Sequence, residues 1–172
     1  MFRFKINKKD LIFYTILILL SFAMTMCNYT SIKNAGYLPR DTAVWANIAN
    51  GMSQGKIIYK DMFDHKGPIL YFLYYFGYII ANQLGICMLD FILNCITVFM
   101  IYLISKQIVD EKFKILIILV TIMLFSVQIS YENPCTESIA VTFTLIAFYY
   151  IIKYILSNKT LKKKEIIIIS MC

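Results

Sequence analysis

"ILYFLYYFGYIIANQLG", residues 69–85, is long and apolar enough to be taken for a membrane-spanning helix, and whether it crosses decides the side of every later loop. Counting basic residues gives the answer. If the stretch does not cross, the inner side receives Arg3, Lys5, Lys8 and Lys9, then Lys106, Lys112 and Lys114, then Lys159, Lys162, Lys163 and Lys164. The outer side holds Lys33, Arg40, Lys56, Lys60 and Lys66, all in the loop 28–68. Eleven basic residues inside against five outside obeys the positive-inside rule, whereas a crossing would move seven of the eleven outward and invert it. Tyr71, Phe72, Tyr74, Tyr75, Phe76 and Tyr78 point the same way, because a tyrosine ring favours the headgroup zone where its hydroxyl stays wet. Residues 69–85 therefore read as an interfacial or re-entrant helix on the outer face.

The rest of the chain supplies the spans. In 172 residues it is 60% hydrophobic with a mean hydropathy of +0.69, beyond the ordinary globular mix. Its apolar blocks fall at about 11–27, 86–104, 115–131 and 138–156, each near the length that a bilayer core of about 30 Å asks of a helix. A fifth begins at Ile166 and reaches Cys172, too short to cross, so the chain reads as the N-terminal part of a longer protein. The expectation is an all-α polytopic membrane protein with its N-terminus inside. Residues 1–27 resemble a secretion signal, but no small-x-small site follows, which favours a retained signal anchor. In the outer loop "DTAVWANIANGMSQG" places Val44, Ile48 and Met52 one turn apart beside Trp45 and Ala49, an apolar stripe suited to the membrane plane.

The net charge of +7 lies in clusters between apolar blocks rather than along one face, and no nucleic-acid-binding motif accompanies it. Cys27, Cys87, Cys95, Cys135 and Cys172 show no CxxC pair or ligand-like spacing, so neither a zinc site nor a disulfide framework is expected. Gly-rich nucleotide loops, GxSxG, HExxH and an inner-loop Asp-x-Asp are all missing.

Chemistry concentrates in the outer loops. Pro68 suits the first position of a helix, where its missing N–H costs nothing, and this sets Lys66 just ahead of a helix N-terminus. An ammonium, free N–H groups and the positive end of the helix dipole then converge, a place for a phosphate at membrane depth; a lysine snorkelling to the interface has the same spacing. Asp41 opens the outer-loop helix, either as a cap or as a carboxylate able to take a proton from a hydroxyl nucleophile. "DMFDH" gathers Asp61, Asp64 and His65, which could hold a divalent metal or simply be solvated. In "YENPCTES" the Asn-Pro pair breaks the chain, and Thr136 with Glu137 starts the next helix at a mouth with no basic residue to neutralise the acid. Asp90, with Asn94 a turn later, lies inside a span, where such residues face a protein interior or the nearby interface.

"GYLPRDTAVWANIANGMSQGKIIYKDMFDHKGPILYFLYYFG" followed by "NPCTESIAVTFTLIAFY" resembles the N-terminal third of membrane glycosyltransferases of the GT-C class. It is similar to the bacterial branch related to dolichyl-phosphate-mannose protein mannosyltransferases and to the lipid A aminoarabinose transferase. The resemblance implies an enzyme that moves a sugar from a polyprenyl-phosphate donor to a glycan, lipid or protein acceptor outside the cytoplasm, inverting the anomeric carbon. It implies Asp41 as the base, Lys66 as the contact to the donor phosphate, and Glu137 as the second outer-loop acid. His65, Asp64, Arg40 and Asn133 complete the substrate-binding candidates. His65 departs from the aminoarabinose transferase pattern, which has a metal-binding glutamate before the lysine, so the pattern leaves metal dependence open.

Overall fold

A computed structural model describes residues 8–28, 31, 33, 38, 40–109, 136–156 and 161–172. Among them the chain is helical and contains no strand: α1 Lys8–Cys27, α2 Arg40–Ser53, α3 Pro68–Ile108, α4 Thr136–Leu156 and α5 Lys163–Met171. The expected spans 11–27, 86–104 and 138–156 fall within α1, α3 and α4, and the fifth block, but for Cys172, within α5. The block 115–131 lies outside the described residues. Two helices, α3 and Ile139–Leu156 of α4, are long and apolar enough to cross a membrane; Leu11–Cys27 is apolar but shorter.

The stretch that decides the topology is divided from the span after it, though not at residue 85. Pro68 stands at the first position of α3 after Gly67, and the helix runs to Ile80 before Ala81 (φ −158°, ψ 36°) and Asn82 (φ 50°, ψ −127°) leave helical geometry. Asparagine is among the few residues that tolerate a positive φ. In an unbroken helix, residues eight apart are separated by about 12 Å. Here a Cβ on Gly77 would lie 3.1 Å from the Gly85 carbonyl oxygen, and a Cβ on Gly85 would fall onto the Gly77 carbonyl. The two arms of α3, 68–80 and 83–108, therefore turn sharply against each other, and glycine at both positions permits the approach.

α3 is the hub, packing against α1, α2 and α4, while α5 packs on α4. Two cores result. The larger joins α2 to both arms of α3 and to α4: Trp45, Ala46, Ile48 and Ala49 bury with Leu70, Tyr71 and Tyr74 of the first arm, Ile86 of the second and Ile139 of α4, the Trp45 and Tyr74 rings edge-on at 5.3 Å. This corrects the expected membrane-facing stripe of α2, since Trp45 and Ile48 face protein and only Val44 of that set is exposed. A one-turn apolar spacing records that a face is covered but not whether protein or lipid covers it. The smaller core, Leu17, Val98 and Tyr102, lies between α1 and the second arm.

Polar pairs accompany that second seam. Asn28 Nδ2 donates to Asp90 Oδ2 at 2.7 Å, Asn94 Nδ2 to Thr25 Oγ1 at 3.0 Å, and the Thr97 and Thr142 hydroxyls meet at 2.7 Å. Asp90 thus faces the protein interior. At the α4–α5 junction Lys153 binds Glu165, whose other oxygen accepts from the Lys162 N–H at 2.8 Å.

Candidate functional site

The segment from Gly55 to Pro68 joins the end of α2 to the start of α3, and nearly every turn in it is fixed. Gly55, at φ +85°, ends α2 in the left-handed conformation that glycine adopts without strain. The Ile57 N–H donates to Asp61 Oδ2 at 2.9 Å and the Asp61 N–H returns to the Ile57 carbonyl at 2.9 Å. Tyr59 also has a positive φ, +64°, which for a bulky residue is strained and persists only where its surroundings enforce it. They do so three times. Its N–H reaches the Met62 carbonyl at 2.7 Å, its hydroxyl donates to the Lys66 carbonyl at 2.6 Å, and its ring packs edge-on against Tyr71.

Tyr71 organises the far end of the loop. It lies in the first turn of α3, 1% exposed, with its hydroxyl directed back at the loop. The hydroxyl accepts from the Lys66 N–H at 3.1 Å and donates to Asp64 Oδ2 at 2.9 Å. Asp64 Oδ1 accepts from the His65 N–H at 2.8 Å and lies 2.9 Å from His65 Nδ1. Burial alone would push the Asp64 carboxyl up, but the His65 N–H, the Tyr71 hydroxyl and the neighbouring imidazole outweigh it and hold it below the usual carboxylate range. The Asp64 side chain is 13% exposed and that of His65 76%.

Lys66, half-buried, stands one residue before Gly67, which provides no side-chain cap for the free N–H groups of the α3 N-terminus. The backbone thus sets Lys66 just ahead of a helix N-terminus. Asp41 lies elsewhere. Trp45 packs on Tyr74 and Gly51 lies against Met62, so α2 and the first arm run antiparallel. Asp41, exposed in the first turn of α2 beside exposed Arg40, sits a turn beyond the Trp45–Tyr74 contact in the direction away from the loop. At 1.5 Å per residue this puts about 15 Å of helix between Asp41 and Pro68. Asp61, Asp64 and His65 do not converge as ligands: Asp61 is engaged by Ile57, and among the described residues no group of three or more His, Cys, Asp or Glu is placed to hold a metal. Glu137 occupies the first turn of α4, its side chain outside the described set, and Asn133 lies outside the described residues.

The loop also carries Phe63, 83% exposed, and the first arm turns Ile69, Phe72, Phe76 and Ile80 outward on the face opposite the core. The spacing of three and four marks a single apolar ridge. Tyr59 and Tyr71, the residues that position Lys66 and Asp64, were absent from the sequence-derived candidates. Tyr71 reads as one interfacial tyrosine among several, yet its hydroxyl is buried and bonded. The available signal was its place in the first turn after Pro68, where a long side chain tilts back toward the helix N-terminus. Comparison with protein-family models, with curated proteins and with solved structures finds no match to this chain.

Proposed function

We propose that this chain is part of a multi-pass membrane glycosyltransferase that takes a sugar from a polyprenyl-phosphate donor and transfers it to an acceptor on the outer face. The observation that carries the reading is the construction around Lys66: a tyrosine-pinned loop holds this lysine immediately before an uncapped helix N-terminus, beside an exposed apolar ridge. Such a place suits a ligand that is anionic at one end and lipidic at the other. Loss of a phosphate from an anomeric carbon builds negative charge on the departing oxygen, and a cation with preorganised N–H groups stabilises it. The GT-C resemblance of "RDTAVWANIANG" and "FDHKGP" supports the same reading, as does the distribution of basic residues, which sets this loop outside and the N-terminus inside.

The alternative of a non-catalytic transporter subunit draws on the buried polar groups near Asp90, since transporters bind their cargo at such depth. Those groups pair with one another across α1, α3 and α4, and helix association accounts for them.

The test is transfer from radiolabelled polyprenyl-phosphate sugars by membranes containing the full-length protein. Wild type is expected to transfer label to an outer-face acceptor, and Lys66→Ala to lose about two orders of magnitude, as removal of one charge-stabilising donor typically does. Wild-type membranes inert toward every such donor, or a Lys66→Ala variant as active as wild type, would end this reading.

A further inference from the structure

We propose that the turn between α4 and α5 binds the headgroup of an anionic phospholipid through the exposed side chains of Lys162, Lys163 and Lys164. The inference shares with the proposed function only its membrane setting and needs neither sugar donor nor acceptor. Three observations carry it.

The first is a surplus of charge. Beyond Glu137 the chain has a single acid, Glu165, against Lys153, Lys159, Lys162, Lys163 and Lys164. Glu165 is buried, with Oε1 on the Lys153 ammonium and Oε2 accepting from the Lys162 N–H at 2.8 Å. Both of its oxygens are thus occupied within the fold, while Lys162, Lys163 and Lys164 stand exposed. Like charges on consecutive residues repel, and an anion placed among them relieves the repulsion.

The second is rigidity. Lys153 lies in the last turn of α4 and Glu165 in the first turn of α5, so one carboxylate ties the two helix ends to each other and to the backbone at Lys162. The segment that carries the three lysines is therefore held before any ligand arrives, which lowers the ordering cost of binding. Insertion with basic residues inside accounts for lysines at this end of α4, but it does not call for a buried, doubly bonded glutamate beside them.

The third is depth. Tyr149, Tyr150 and Tyr154 lie near the end of α4, with the Lys153 ammonium 6.0 Å from the centre of the Tyr150 ring. Tyrosines and snorkelling lysines of this kind mark the boundary between hydrocarbon and headgroups. Exposed Ile155 and Leu156 precede the lysines, and exposed Ile166 and Ile167 follow them. Apolar side chains on both sides of the cluster set the ammonium groups at phosphate level, with room for acyl chains along the isoleucines. A soluble anion gains nothing from those neighbours, so the occupant is a lipid of net negative charge.

The test titrates the full-length protein in detergent with phosphatidylglycerol or phosphatidylcholine and reads bound lipid by native mass spectrometry. Each lysine near an anionic surface contributes about fivefold in affinity, and three contribute about 10²-fold. Wild type is expected to hold phosphatidylglycerol tighter than phosphatidylcholine by about that factor, and the preference should shrink as salt is raised. Combining Lys162→Gln, Lys163→Gln and Lys164→Gln should abolish the preference, and the corresponding arginine variant should keep it. Lys56→Gln with Lys60→Gln, both exposed in the loop after α2, should leave it intact. A preference that survives the glutamine variant, or falls equally with Lys56→Gln and Lys60→Gln, overturns the site. Should the glutamine variant fail to fold, the salt titration decides, since a wild-type preference insensitive to salt also overturns it. Displacement of bound phosphatidylglycerol by an equal concentration of inorganic phosphate would overturn the choice of a lipid over a soluble anion. Sugar transfer with no lipid preference sinks this inference alone, and a lipid preference without transfer sinks only the proposed function.

Discussion

The α2–α3 module and the α1–α3–α4 seam are both built on the same long helix, yet different forces hold them. In the module Trp45, Tyr71 and Tyr74 are buried almost completely, loop 56–67 is tied by side-chain and backbone hydrogen bonds, and two glycines let the arms of α3 touch. In the seam the buried apolar set is small, and hydroxyl and amide pairs recur from Asn28 to Thr142. On the membrane reading proposed above, the contrast follows from the surroundings. Where water competes, burying aromatic area drives association, at roughly 25 cal/mol per Å². Between helices in lipid that driving force is absent, and close packing with polar pairs takes its place.

The sharpest way to break this comparison is to delete one large side chain from each region. Trp45→Ala removes the ring that joins α2 to Tyr74 and should destabilise the module by about 3–5 kcal/mol, the usual cost for a buried aromatic. Leu17→Ala in the seam should cost clearly less, because on that reading lipid tails can cover what the leucine covered. Maleimide labelling of Cys87, buried in α3 beside the module core, follows both on heating in detergent once the other cysteines are replaced. Equal shifts for the two variants would show that the seam is held by the same force as the module.

Acid should distinguish the regions as well, by a smaller margin. The Asp64 carboxyl is held below its ordinary range in the folded loop. A carboxyl lowered on folding adds stability that is present above its unfolded value, about 3.9 for aspartate, and lost as pH falls through the folded value. The module should therefore loosen only as the pH drops below about 4. Proteolysis at the exposed Lys56 and Lys60 should report this loosening. Asp64→Asn should be cut more readily at neutral pH and show little further change in acid. An acid transition of unchanged size in that variant would place the responsible carboxyl elsewhere.

These same residues mark what could be read in advance. The apolar blocks that became α1, α4 and the second arm of α3 were visible because length and hydropathy alone define them. Lys66 before a helix start was visible because Pro68 is at home in the first helical position. The break at Ala81–Asn82 was placed a few residues late, since Asn82 reads as one polar residue in an interfacial helix, and the meaning of Gly77 and Gly85 depends on a contact between two arms. The Asp64–Tyr71 bond was illegible for a similar reason. Seven positions apart, the two meet only because the chain bends at His65 and Lys66, and no periodicity encodes a hydroxyl pointing backward.

The smallest expected effect tests the seam on its own terms. Thr97 and Thr142 share one hydrogen bond across α3 and α4, buried at both ends. In the interior of a water-soluble protein such a bond contributes about 0.5–1.5 kcal/mol, and the poor solvation of a lipid-embedded site argues for a larger figure. Measured couplings in membranes instead average about 0.6 kcal/mol, because a hydroxyl on a separated helix still finds its own backbone carbonyl or another partner. Ser21 and Thr25 do this here, returning their hydroxyls to the Leu17 and Ser21 carbonyls of α1 at 2.9 Å each. A double-mutant cycle over Thr97→Val and Thr142→Val, read as unfolding free energy in bicelles, should give a coupling near that average. A coupling of about 2 kcal/mol or more would mean that separated α3 and α4 have no alternative partner for these hydroxyls, and that the seam draws more of its strength from single polar pairs than from close packing.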